Sequence, residues 1–194
     1  MSEKIPDLAI DLFKYRVDVQ MDRGLNLNTR SFTLTGEVNL DMFHRTEACL
    51  SIFESQAEDE TITIKLCSEG GEIYPALAII GRIKASPCRV VIQAYGQIMS
   101  AATAIFACAD ERVASQYTSF MFHQTSISLE RPTILRDVRV ELAQSEHDDL
   151  VFSEILEKHS KRDTKYWQSL IKSGKNVYLS ADECVELGLV DKVI

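Results

Sequence analysis

From Ser31 onward, short apolar runs alternate with longer stretches in which apolar residues return every three or four positions. The run 31-SFTLTGEV-38 alternates apolar and polar residues and predicts a strand interrupted or ended at Gly36. Next, 41-DMFHRTEACLSIFESQA-57 places Phe43, Leu50 and Phe53 on one helical face, with Asp41 as the expected cap. Residues 61-TITIKLC-67 predict a second strand. In 68–86 a glycine turn leads into an expected helix that aligns Ile73, Leu77, Ile80 and Ile83. Pro75 falls in its first turn, where a missing N–H costs little. The segment 88-CRVVIQA-94 reads as a buried strand, and the alanine-rich stretch from Ser100 to about Ala109 as a helix.

Short strands are expected near 112–114 and at 118-TSFMFH-123. Residues 133–159 carry a long helical pattern, with Leu135, Val138 and Leu142, then Leu150, Val151 and Ile155. Such a helix is long enough to project or to pack on a neighbouring subunit. A shorter helix is expected at 163–173, followed by another within 179-LSADECVELGLV-190. There Ser180 and Glu183 have capping-box spacing, and Gly188 suits the C-cap. The terminal LVDKVI returns as a strand. Residues 1–30 lack clean periodicity and read as an N-terminal arm to one domain at 31–194. Repeated strand–helix–strand units with short connections imply an α/β fold with a mostly parallel sheet.

Composition narrows the function classes. The 194 residues carry a net charge of −8, and a pI near 5.0 argues against nucleic acid or an anionic membrane as the main partner. No apolar run approaches the ~20 residues of a membrane span. The first twenty residues mix charges among apolar positions without the apolar core of a signal peptide. Cys49, Cys67, Cys88, Cys108 and Cys184 are widely spaced and lack any CxxC, so they read as buried thiols in a reducing, cytoplasmic setting. No metal-ligand spacing occurs, and neither a metal nor another cofactor is expected.

Three places are candidates for chemistry. Ser100, in 95-YGQIMSAATAIFACA-109, is either an ordinary N-cap or a nucleophile at a helix mouth, where Ala101 N–H could bind a developing oxyanion. A GxSxG elbow is absent, because Ile98 and Ala102 occupy its glycine positions. Gly70-Gly71 is either a flexible turn or a means of aiming a backbone N–H into a cleft at a strand end. His123 closes a predicted strand, whereas His44, His147 and His159 lie on predicted helices with polar neighbours.

The order and spacing of these residues resemble the proteolytic subunit of the Clp proteases (ClpP), within the ClpP/crotonase superfamily. The family's SPGG turn resembles 66-LCSEGG-71, and its GQ-AAS-MGA segment resembles 96-GQIMSAAT-103. Its M-I-HQP resembles 121-MFHQT-125, and its LSA-EA--YGLVD resembles 179-LSADECVELGLVD-191. The resemblance implies a repeated β-β-α superhelix with a projecting handle helix at about 133–159. Ser100 would be the nucleophile of a serine endopeptidase and His123 its general base, with Gly71 and Ala101 N–H groups as the oxyanion hole. It also implies self-association into heptameric rings stacked as a tetradecamer, enclosing sites that receive unfolded polypeptide from an AAA+ unfoldase.

Some positions depart from the family pattern. The catalytic aspartate position is Asn176, which can accept an imidazole N–H but brings no charge; Asp163 is the nearest alternative acid upstream. Glu69 stands where the family has proline beside the oxyanion turn. The family's glycine-rich peptide-binding strand is here 125-TSISLERPT-133, without glycine, although its alternation can still offer a strand edge. A second reading, with Asn176 as its signature, is therefore a catalytically weak or silent subunit that shapes a mixed ring or scaffolds a partner. A third, an acyl-CoA enzyme of the crotonase type, would share the oxyanion geometry but lacks a paired Ser and His at these positions.

Overall fold

Strands β1 (Ser31–Val38), β2 (Ile62–Gly71), β3 (Val90–Met99), β4 (Glu111–Ala114) and β7 (Lys192–Val193) lie side by side in that order, every pair parallel. The computed structural model describes residues 24–126 and 134–194. β5 (Ser119–Phe122) leaves this path by pairing parallel to the far end of β3, and β6 (Val177–Ser180) pairs antiparallel to β5. β3 therefore has two partners in succession. Val91–Ala94 pairs with β4, and Gln97–Met99 pairs with β5. Gly96 lies at the switch with φ +67°, a conformation open to glycine at little cost. The sheet splits here, and the second half of β3 carries Ser100 toward β5 rather than along β4.

The helices are α1 (Leu40–Gln56), α2 (Ile73–Lys84), α3 (Ala101–Ala107), α4 (Leu135–Lys158), α5 (Thr164–Ile171) and α6 (Ala181–Leu187). α1, α2 and α3 pack in succession on one another, and α4 packs against α5. Strand side chains Phe32, Leu34, Ile62, Ile64, Leu66 and Ile92 are fully buried, each worth about 1.5–3 kcal/mol of transfer free energy. All seven residues of α3 are buried. Its AATAIFA sequence is small enough to sit against β2, β3 and α2 together. No disulfide joins the described cysteines; four are buried, and burial pushes the Cys108 and Cys184 thiols up to about 12. Among the described residues no helix is long and apolar enough to cross a membrane.

Several elements depart from the sequence expectations. Asn39, not Asp41, caps α1, its side chain accepting from Met42 N–H at 3.0 Å. Asp41 sits in the first turn, where its charge faces the positive end of the helix dipole. The expected glycine turn at 68–71 is strand instead. β1 continues past Gly36 through a bulge, so its Glu37 and Val38 remain available to pair with Gly70 and Gly71. Residues 177–180 form β6, and the following helix is confined to Ala181–Leu187. The capping box holds: Ser180 Oγ accepts from Glu183 N–H, and Glu183 Oε2 accepts from Ser180 N–H at 2.7 Å.

The face chosen for the first half of α4 is also different. Leu135 and Leu142 are exposed at 66% and 50%, while the buried stripe is Ser145, Asp148, Asp149, Ser153 and Leu156. This stripe steps by three or four residues and is almost wholly polar, so apolar periodicity could not reveal it. The first 23 residues of the expected arm, and the part of the 125–133 alternation at 127–133, lie outside the described residues.

Candidate active site

Ser100 occupies the N-cap position of α3 without acting as a cap. An N-cap serine has an extended backbone and turns its hydroxyl onto the N–H of the second or third helical residue. Ser100 instead has φ +52° and ψ −127°, and its side chain makes no capping bond. A non-glycine residue held there costs about 1–3 kcal/mol and persists only where its surroundings over-determine it. The restraints are visible. Ser100 N–H donates to Met121 O at 2.8 Å, and Ser100 O accepts from Thr103 N–H and Oγ1 at 2.9 and 2.7 Å. With its backbone so fixed, the hydroxyl faces away from the helix.

It faces His123: Ser100 Oγ and His123 Nε2 are 2.7 Å apart. The sheet sets this distance. Met99 pairs with Met121 at the end of the β3–β5 ladder, and Ser100 N–H to Met121 O extends it by one bond. His123 follows two residues later. Behind it Phe122 packs on Trp167 of α5, with ring centroids 5.3 Å apart, and the Trp167 indole N–H donates to Ser160 Oγ at 2.9 Å. In the Nδ1–H tautomer, Nε2 accepts the serine proton, which is the arrangement general-base activation needs.

Gly70 and Gly71 complete the serine's surroundings. Gly70 has φ +93°, and a Cβ there would lie 2.6 Å from Met99 O, 2.6 Å from Ser100 Cβ and 3.1 Å from Ala101 N. Only a missing side chain lets β2 approach the serine and leaves space over the Ala101 N–H. At Gly71 a Cβ would meet Val38 O at 2.4 Å, so this glycine serves the close approach of β1. Glycine thus does more than turn the chain. The sequence singles out the pair, and the family resemblance implies an oxyanion role for Gly71, but neither shows Gly70 packed on Ser100.

Asn176 is brought to His123 but not joined to it. Phe122 pairs with Val177 in the antiparallel β5–β6 ladder, so His123 and Asn176 are opposite each other just beyond the last pair. Asn176 is exposed, and no hydrogen bond connects the two. Asp163 is committed elsewhere, as the N-cap of α5 accepting from Tyr166 N–H at 2.9 Å. Glu69 is exposed between buried Ser68 and Gly70 and does not line the cleft shared by Ser100 and His123.

Ser100 and His123 open onto a cleft of about 370 Å³ whose far wall is α4. Gly71 and Ala101 line it beside the serine, and Phe122, Phe152, Leu156 and Ile171 give it apolar walls. Asp149 of α4 also lines it and accepts from Thr125 N–H and Oγ1 at 2.9 and 2.7 Å. Nothing in the sequence singled out Asp149. Its only signal was a polar residue repeating at helical spacing with Ser145 and Ser153, which reads as a solvated face until the helix is placed. Among the described residues no group of three or more His, Cys, Asp or Glu is placed to hold a metal ion.

The sequence model of the Clp protease family matches residues 18–194. The chain is similar to ATP-dependent Clp protease proteolytic subunit 2 of Treponema denticola, 24% identical over 169 residues that cover 86% of this chain and 82% of the relative. It is also similar to proteolytic subunit 3 of Rhodococcus jostii, 26% identical over 192 residues covering 98% and 89%. In three dimensions it is similar to an Asn-to-Asp mutant of ClpP1 from Listeria monocytogenes. The TM-score is 0.77 at 21% identity, covering 86% of this chain and 92% of that one, which identifies the fold as the ClpP type.

Proposed function

This chain belongs to the Clp protease family and is by family a Clp-type serine peptidase, and we propose that it cleaves extended polypeptide with Ser100 as nucleophile and His123 as general base. The observation that carries this reading is the 2.7 Å contact between Ser100 Oγ and His123 Nε2, made by a serine whose backbone is held off the capping conformation. In the proposed cycle His123 takes the serine proton as Oγ attacks the peptide carbonyl, and returns it to the leaving amine. Water then releases the acyl group by the same route. The Gly71 and Ala101 N–H groups receive the oxyanion, in the space that Gly70 leaves open. Asn176 stands in the third position without a charge.

The assembly belongs to the same proposal. Residues 31–194 form the peptidase domain and 1–30 an arm, with α4 as the handle through which rings of seven associate into a tetradecamer. Exposed Leu135, Val140 and Leu142 on α4 support a partner there. Relatives named as subunits of ATP-dependent proteases support an ATP-driven unfoldase as the source of substrate; a cytoplasmic location is part of the same proposal. The test is labelling with a fluorophosphonate probe. The wild type is expected to form an adduct that the Ser100→Ala variant lacks; no adduct, or equal labelling of the two, would remove the nucleophile assignment.

A second reading has its own observation. Asn176 is exposed and makes no hydrogen bond to His123, as expected of a catalytically weak or silent subunit that shapes a mixed ring. The Asn176→Asp variant separates the two readings.

A further inference from the structure

The α4 wall of the cleft carries carboxylates that no cation answers among the described residues. Asp149 is only 2% exposed, and while its Oδ1 accepts both Thr125 bonds, its Oδ2 is equally buried and has no partner. Asp148, 7% exposed, stands next to it and accepts from Gln144 Nε2 at 2.9 Å. Among the described residues neither carboxylate has an ion-pair partner. Among the described residues, Glu72 and Glu141 bring the cleft's lining carboxylates to four, and no lysine or arginine lines it. Burying a carboxylate oxygen with neither a donor nor a counter-charge is costly. A guest that supplies both would recover that cost.

We infer that the cleft selects a lysine or arginine adjacent to the scissile bond, with its cationic head on Asp149 Oδ2. This rests on the peptidase reading of Ser100 and His123 and adds the substrate class to it. The position fits, because Asp149 is tied to Thr125, two residues past the histidine, and the cleft is continuous from Ser100 to Asp149. The walls fit as well. Phe152 and Leu156 offer apolar surface to the methylene stem, while the charged end reaches toward the Asp149 carboxylate. Away from water, that charge-assisted bond is stronger than its surface equivalent. A leucine or methionine in the same place would leave Oδ2 unanswered, and a glutamate would be repelled.

Binding to the Ser100→Ala variant tests this without requiring catalysis. Calorimetric titration would use blocked alanine octapeptides that carry one lysine, arginine, norleucine or glutamate. Salt of about 0.3 M screens the general attraction of basic peptides to an acidic surface. Lysine and arginine peptides are expected to bind about 30-fold or more tighter than norleucine, the uncharged counterpart of the lysine stem. Adding Asp149→Asn, which keeps an acceptor for Thr125, is expected to erase that difference. Norleucine binding as tightly as lysine, a preference that survives Asp149→Asn, or no binding by any peptide would each overturn the inference. Fluorophosphonate labelling of the wild type at Ser100 would then show whether the peptidase reading stands without it. Loss of labelling with the lysine preference intact would instead remove the peptidase reading alone.

Discussion

Gly70 is packed against Ser100 so closely that a single methyl on the glycine would come within 2.6 Å of the serine's Cβ. The same methyl would lie 2.6 Å from Met99 O and 3.1 Å from Ala101 N, so backbone as well as side chain must move to admit it. The φ of +93° adds strain for any other residue. Gly70→Ala is expected to lose about 1–3 kcal/mol of stability and at least about a hundredfold in peptidase rate. Gly81 in α2 is the control, with nothing within 4 Å of an added Cβ. Gly81→Ala should leave activity unchanged and add about 0.5–1 kcal/mol. Urea unfolding and the initial rate on an unfolded substrate check both.

How much of this was legible depends on which interaction makes each element. The strands at 31–38, 62–67 and 90–94 and the helices at 40–56 and 73–84 bury regular apolar faces, so periodicity finds them. β6 is only four residues, held by a ladder to β5 more than fifty residues earlier in the chain, and local pattern gives no sign of that pairing. The buried stripe of α4 is polar and inverts the usual assignment of faces. At the site, Ser100, the Gly70-Gly71 pair and His123 could be named from position at strand and helix ends. The sequence could not show that Gly70 abuts the serine, that Asn176 lies opposite His123 without bonding it, or that Asp149 enters the cleft. Each of these depends on where two distant segments meet.

Stability toward acid is expected to depend on one side chain joining α1 to α2. Arg82 forms two hydrogen bonds to Glu54, at 2.9 and 2.5 Å, and another to Glu47. The Arg82 hydrogen bonds hold the Glu54 carboxyl below its ordinary 4.5, with Ser86 Oγ adding another donor, against an opposing effect of burial. A depressed folded-state value means that the stabilisation is complete above the unfolded value and is lost as pH falls through the folded one. Both side chains are 17% exposed, so the bidentate pair is partly shielded and worth about 1.5–3 kcal/mol. Glu54→Gln should therefore be less stable at pH 7 by roughly that amount, with a shallower loss of stability below about pH 4.5. Urea midpoints measured from pH 7 to pH 3 give both quantities.

The exposed apolar residues of α4 predict assembly. Leu135, Val140 and Leu142 are 66%, 61% and 50% exposed at different positions around one long helix, and such apolar side chains favour association with a partner that covers them. Wild-type protein at micromolar concentration is expected to scatter light as an oligomer. Replacing Val140 and Leu142 by glutamate should shift it to smaller species while leaving the folded domain's circular dichroism unchanged. A wild type that runs as a clean monomer would contradict the chamber model.

Asn176 and His123 give the sharpest test, because the β5–β6 register sets them opposite each other just beyond its last pair. An aspartate at 176 would accept the His123 Nδ1–H, hold Nε2 toward Ser100 and stabilise the imidazolium that forms as the serine proton is taken. The asparagine makes no hydrogen bond to the histidine, so Asn176→Ala should match the wild type in rate. Asn176→Asp should raise turnover by at least about tenfold, with about 10⁴-fold as a ceiling set by the reverse change in chymotrypsin-type enzymes. The gain should appear in kcat with little change in KM, because the charge is needed only once the imidazole is protonated. Steady-state kinetics of the three proteins on one fluorogenic peptide decide it. A gain supports a working Ser100–His123 pair that lacks only its acid, whereas an unchanged Asn176→Asp with native circular dichroism favours the silent subunit.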